Sequence, residues 1–356
     1  MSASTAAQAC LQDDRKLIAA SALNPSDTTP LGGEGAWRQT SDLAYQRTHL
    51  RFFCYRSFDS SWRLRVAILH SHRNILQVVE HARVHVEDGR VVEVRADSGR
   101  LLTWNIPHAN LACLLLGQGS SITQEAARLL AAERVLVGLC GTGGTPLFLA
   151  AVGEYRPTDR ALAWMERWRS PAWRLAAAKN LHLQRIDLVR RRFSRHNIAS
   201  PEAAITAFEA AIHRANDPDA LRGAEAAFAK TLYAHTAAAL DIPWRGRIRD
   251  DDQTDLPNRR LDAANYLAYG VAATALWICG IPFFLPVQHG ASRAGGLVFD
   301  AADVLKDATC LPLAFKTSHL PWPQARETIV QDLQQIDAIA LLIAWLDNVL
   351  ALPSAA

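Results

Sequence analysis

From residue 63 to residue 107 the apolar positions fall in short β-branched blocks, partly alternating with polar ones: RLRVAILH, NILQVVEHARVHVEDG, RVVEVRADSG and RLLTWNIP. Alternation puts one side of a strand in a core and the other in water. Asp88-Gly89 and Ser98-Gly99 are pairs that accept the left-handed backbone of tight hairpins. The blocks predict a small, mainly antiparallel sheet. In the next stretch, ACLLLGQGSSITQEAARLLAAERVLVGLCGTGGTPLFLA, Ser120 or Ser121 is the expected cap of a helix running through Ala131, and VLVGLC is a further strand. The GQGSS and GTGGTP loops lack the GxxxxGK[ST] pattern and sit in no repeated strand–helix–strand series, so they read as turns rather than phosphate cradles.

Beyond residue 158 the apolar spacing becomes helical. Ala/Leu/Arg-rich segments predict helices over 159–198, 201–215, 218–241, 258–281, 300–308 and 323–352, with Pro and Gly mostly at the breaks. The chain is therefore expected to be α+β, with a small N-terminal β-sheet domain over 61–152 and a larger all-helical C-terminal domain over 153–356. Residues 1–60 are rich in Ala, Ser, Thr, Gly and Pro. They are expected to form a partly disordered leader with at most a short helix near Asp13–Ala22.

Composition adds little to this picture. The net charge is +3, so partners must be argued from where the charges lie. Six cysteines form no CxxC pair, which fits reduced thiols better than a disulfide framework or a zinc ribbon. The start MSASTAAQAC has no signal-peptide pattern, and no uncharged apolar run reaches about 18 residues, so a cytoplasmic, non-membrane protein is expected.

Candidate chemistry gathers in HGASRAGGLVFDAADVLKD. Asp300, Asp303 and Asp307 share one helical face, opposite Ala301, Val304, Leu305 and Ala308. They fit surface acids near a helix N-terminus, or ligands. His289 alone fits a hydrogen-bonded edge residue; beside carboxylates it completes a mixed N/O site suited to Mg²⁺ or Mn²⁺. Glu225, in LRGAEAAFAKTLYAH, lies on a largely apolar helix. Its carboxylate needs a cation, whether a metal ion, Lys230, Arg222 or an arginine elsewhere. Basic residues cluster in LHLQRIDLVRRRFSRH (His182, Arg185, Arg190, Arg191, Arg192, Arg195, His196), in WRGRIRDDD (Arg245, Arg247, Arg249) and at Arg259 and Arg260, in a domain that also holds Trp164, Trp168, Trp173 and Trp244. They fit a solvated helix face or phosphate contacts.

Taken in order, the Glu225 motif, LDAANYLAYGVAATALWICG, His289-Gly290 and FDAADVLKD resemble the CRISPR adaptation endonuclease/integrase family, and the acid-rich last motif looks most like its type I-F branch. The resemblance covers roughly Arg63–Leu320, including the LGQGSSITQEAARLLAAERVLVGLCGTGG series. It implies an enzyme of antiviral defence that joins prespacer DNA to a CRISPR repeat by transesterification, using Mg²⁺ or Mn²⁺. By the same resemblance Glu225, His289 and Asp303 are metal ligands, Asp300 assists in catalysis, and Asn265 and Tyr269 brace the helix beneath. Arg190, Arg191, Arg192, Arg195, Arg245 and Arg247 are the expected contacts to double-stranded prespacer and repeat DNA. The resemblance also implies a homodimer built through the β-rich domain, and a second adaptation protein that in the type I-F branch is fused to a helicase–nuclease. Two other readings fit the residues alone: a non-catalytic helical DNA-binding scaffold, and a metal hydrolase of a small phosphorylated substrate.

Overall fold

The computed structural model describes residues 72–97, 99–140, 147–149, 158–248, 255–290 and 295–353. The expected leader over 1–60, the RLRVAILH block, Ser98 of the second turn, the GTGGTP loop and Arg249 lie outside the described residues.

Strands β1 (Ile75–Val79), β2 (Ala82–Glu87), β3 (Arg90–Asp97), β4 (Arg100–Asn105), β5 (Leu111–Leu116), β6 (Ser121–Ile122), β7 (Leu136–Leu139) and β8 (Leu147–Leu149) form two four-stranded sheets. One runs in the order β4-β3-β2-β6. Its hairpins are those expected: Asp88 and Gly89 both take positive φ, so that Glu87 faces Arg90. The other runs β1-β5-β7-β8, and there β1, β5 and β7 are parallel. The expectation of a mainly antiparallel region is thus corrected for half of it. The reason is burial on both faces, typical of parallel strands. In β5, LACLLL, all six side chains are buried. Leu111, Leu114 and Leu116 face a core shared with Val84, Ile106 and Leu130, whereas Ala112, Cys113 and Leu115 face the helices. Helix α1 (Gln124–Ala132) carries the chain from β5 across to β7, and its cap is Thr123, not Ser120 or Ser121. Ser121 is in β6, and the Ser120 hydroxyl bonds to the Val79 and Gly117 carbonyls. The GQGSS loop is accordingly a packed turn.

The helical part comprises α2 (Asp159–Trp168), α3 (Pro171–Arg192), α4 (Glu202–Arg214), α5 (Pro218–Ala239), α6 (Leu256–Cys279), α7 (Gly296–Leu305), α8 (Leu311–Lys316), α9 (Trp322–Gln335) and α10 (Ala338–Leu350). Side-chain caps with proline in the first turn start three of them: Ser170 for α3, Asp217 for α5 and Asp255 for α6. The expected single helix over 159–198 is therefore split at Ser170-Pro171, and Asp337, at positive φ, splits 323–352. Helix α6 lies directly on β5. A Cβ on Gly270 would come within 2.8 Å of Leu115 Cδ1, so only glycine permits that approach without a shift. Among the described residues no single helix is long and apolar enough to cross a membrane.

The largest departure is at residues 296–316. In place of a short helix opening near Asp300 with surface acids, α7 begins at Gly296 after Gly295 at positive φ, and all ten of its residues are buried. A π turn (Lys306–Cys310) then leads into α8. Asp300, Asp303 and Asp307 are each at most 2% exposed. The surface-acid reading fails.

Candidate functional site

Helix α7 packs against α3 and α6, which brings its acids opposite groups from α3 and α5. Asp300 Oδ2 accepts from the backbone N–H of Val287 (2.6 Å) and Gln288 (3.1 Å). Its Oδ1 accepts from the N–H of His289 (2.9 Å) and from His289 Nδ1 (2.6 Å). A carboxylate so engaged is a holder, not a free ligand. It fixes the proton on Nδ1 and leaves Nε2 as the outward nitrogen, as a carboxylate behind a metal-binding histidine does. The segment before His289 is also pinned: the Trp164 indole donates to the Leu285 carbonyl (3.1 Å) and that of Trp168 to Pro286 (2.7 Å). These tryptophans brace the site from within.

Two cations, Arg185 buried and Lys306 half-buried, complete the cluster. Arg185, from α3, bridges α5 and the π turn: Nη1 donates to Glu225 Oε1 (2.9 Å) and Nε to Asp307 Oδ2 (2.5 Å). Lys306 pairs with Asp303 one turn before it. Thus Glu225 meets an arginine from elsewhere in the chain, while Arg222 pairs with Asp219. Four carboxylates (Glu225, Asp300, Asp303, Asp307) face two permanent cations, leaving two negative charges in excess when all are ionised.

Electrostatics link the members. Burial pushes the Asp303 carboxyl up, but Lys306, His289 and Arg185 outweigh it and hold it at about 2. Burial opposes charge on His289, yet its bond to Asp300 and the charge of Asp303 raise it above the usual imidazole value. The second proton of that imidazolium would sit on Nε2, the one ring nitrogen not held by Asp300. His182, one turn before Arg185 and fully buried, is held at about 4, chiefly by burial and then by Arg185, against the opposing charges of Glu225 and Asp303. Neither of its ring nitrogens has a protein hydrogen-bond partner. The unfolded chain therefore takes up a proton near pH 6.5 that the folded one refuses until about 4, so stability falls as pH drops through that window. His182→Leu is expected to remove about 2 kcal/mol of the stability difference between pH 7 and pH 4.5, read by urea denaturation at both. Equal acid sensitivity in variant and parent would refute it.

The donor chemistry suits a hard divalent cation: one imidazole with its far nitrogen fixed, carboxylates in excess over cations, and Asp307 Oδ1 without a hydrogen-bond partner. The expected ligands do not converge in this arrangement. Among the described residues no three His, Cys, Asp or Glu side chains stand close enough to share an ion, and Glu225 and Asp303 are held by Arg185 and Lys306. Tyr269, between Tyr266 and Phe299, lies beneath Lys306, whose Nζ is 5.5 Å from its ring centre. Asn265 is buried in the same helix.

Lys306 was not among the expected functional residues; Asp307 was read with Asp300 and Asp303 as a surface acid or ligand, and His182 and Arg185 only as part of a basic run. The lysine three residues after Asp303 was the one local signal, being ion-pair spacing on a helix. Of the expected DNA contacts, Arg192 is corrected: it is turned inward, 7% exposed, and paired with Asp332. Arg190 is paired with Glu202 and Glu209, Arg191 with Asp187, and Arg247 with Asp262. Arg195 and Arg245 are exposed.

Comparison with known proteins places this arrangement. Residues 76–317 match the family of the CRISPR associated protein Cas1. The chain belongs to that family, as its motifs led one to expect. The CRISPR-associated endonuclease Cas1 of Pectobacterium atrosepticum is 37% identical over 305 residues, covering 79% of this chain and 94% of that protein. The one from Pseudomonas aeruginosa has the same identity and coverage. In three dimensions the chain resembles the crystal structure of a TtCas1–DNA complex, with a TM-score of 0.58 and 27% identity over 79% of this chain and 95% of that one.

Proposed function

We propose that the chain is a divalent-metal-dependent DNA endonuclease and integrase of CRISPR adaptation, of the type I-F branch, acting through Glu225, His289 and Asp303. The observation that carries this reading is the Asp300–His289 pair, set in one charge cluster with Glu225 and Asp303 in a family of proteins named as endonucleases.

Glu225, His289 and Asp303 would hold Mg²⁺ or Mn²⁺, which when bound acts as a Lewis acid on phosphate oxygens. The chain's own groups do the rest. Asp300 keeps a proton on His289 Nδ1, which leaves Nε2 as the nitrogen that would hold the ion when the ring is neutral. Trp164 and Trp168 fix the backbone that carries it. Arg185, itself enclosed, holds Glu225, whose side chain is 23% exposed and can face a phosphodiester. Attack by a prespacer 3′-hydroxyl on a repeat phosphodiester would join the strands and release the repeat's own 3′-hydroxyl, and attack by water there would release the same 3′-hydroxyl and cut the strand, so one site would serve both reactions. Arg195 and Arg245 are the first candidates for duplex phosphates, since the other expected arginines already have acidic partners. Homodimerisation through the β-rich region has support in β4, an edge strand exposing Leu101 and Trp104. A second adaptation protein, fused to a helicase–nuclease, is the further partner.

The test is strand joining between a prespacer duplex and a CRISPR-repeat duplex with Mn²⁺. Product is expected with the metal and none in excess EDTA, while duplex binding persists in EDTA and weakens steeply with salt. Joining that ignores EDTA would refute metal dependence. Binding with no chemistry under any metal would leave a scaffold, and salt-independent binding would point to a small phosphorylated substrate.

A further inference from the structure

The two cations at the site are not equivalent. Arg185 has a second anchor in Asp307 and is almost wholly enclosed. Lys306 has one carboxylate partner, Asp303, and an aromatic face within reach: its Nζ is 5.5 Å from the centre of the Tyr269 ring. An ammonium over a tyrosine face retains a favourable interaction once its carboxylate is taken away. A divalent ion on Asp303 would stand against the Lys306 ammonium, and the repulsion between the two cations opposes their sharing one carboxylate. In the present arrangement Lys306 has it, and no three ligating groups stand together.

Resting on the metal-site reading above, we propose that Lys306 is a positioning residue that neutralises Asp303 in the ion-free chain and yields it to the incoming divalent cation by moving onto Tyr269. A buried, unpaired carboxylate would destabilise the ion-free chain, so the lysine keeps the site folded while it waits. The same pairing weakens metal binding, because only the fraction of molecules with Lys306 withdrawn is competent. A lysine with a merely structural role would affect stability alone. A displaceable counter-ion makes stability and metal affinity move in opposite directions when it is removed.

The experiment measures Mn²⁺ binding to the full chain by the EPR signal of the free ion, for the unmodified protein, Lys306→Met and Lys306→Arg. Lys306→Met is expected to bind Mn²⁺ about tenfold more tightly or better, and Lys306→Arg within a few-fold of the unmodified chain. In EDTA Lys306→Met should melt lower than the unmodified chain, and Mn²⁺ should raise its Tm by the larger amount. Unchanged or weaker Mn²⁺ binding by Lys306→Met overturns the role of the lysine alone. Absence of Mn²⁺ binding by the unmodified chain overturns the metal site itself. Should Lys306→Met not fold, a Mn²⁺-soaked crystal of the unmodified chain decides: the ammonium off Asp303 and against Tyr269 supports the proposal, and a retained Lys306–Asp303 pair beside a bound ion refutes it.

Discussion

Glu225→Gln is expected to lower DNA cleavage and strand joining on the order of a thousandfold, because a ligand to the ion would be lost with several kcal/mol of transition-state stabilisation. Duplex affinity should stay within about twofold, since it rests on phosphate contacts elsewhere. The replacement is mild for the fold. The Glu225 side chain is 23% exposed, glutamine keeps its volume, and the amide oxygen can still accept from Arg185 Nη1 at the observed 2.9 Å. Arg185 also keeps its anchor in Asp307. Activity assays at saturating Mn²⁺, beside gel-shift titrations, check both halves. Joining at the parental rate would remove Glu225 from the site, whereas loss of binding together with activity would show that the variant had disturbed more than a ligand.

The second large effect concerns stability. Arg185→Met strips two carboxylates of their cation at once, one of them wholly buried. Breaking a buried ion pair from one side costs about 3–5 kcal/mol, mostly from the charge left behind. For a chain of this size that lowers Tm on the order of 10 °C. Asp307 bears most of the strain. Burial pushes its carboxyl up even with Arg185 present, and its Oδ1 has no hydrogen-bond partner. The double variant Arg185→Met/Asp307→Leu should regain much of the loss, because apolar groups of similar volume replace a buried pair with little penalty. A single variant that melts within a degree or two of its parent would mean that the pair contributes nothing.

These interactions also mark the limit of what the amino-acid order alone reveals. Helix starts near 218 and 258 were legible because a capping side chain and proline meet at Asp217-Pro218 and Asp255-Leu256-Pro257, while the same local signal at Ser170-Pro171 was passed over inside a long helical pattern. The Asp88-Gly89 hairpin was legible for the same reason. The parallel pairing of β1, β5 and β7 was not: LACLLL is buried on both faces and shows no alternation from which to read a partner. The burial of α7 was missed because alanines and valines opposite the acids look alike whether the acids meet water or arginine. His289 and its acids were found from their order along the chain. Arg185 lies 40 residues from Glu225 and 122 from Asp307, and pairs at such separations leave no periodic trace. His182 is hidden in a helix buried on several sides, where the apolar stripe that would single it out is absent.

The glycine at 270 has a consequence for dissecting this protein. It lets α6 rest on β5, so Leu76, Cys113, Leu115 and Leu136 from the strands form one wall of the interior that also encloses α6 and α7. Arg326, from α9, reaches across to Glu80 at 2.5 Å, just past β1. Cutting the chain near residue 152 would leave the helical fragment with a greasy, uncovered flank, and the helices that carry its four acids would lose a wall they pack against.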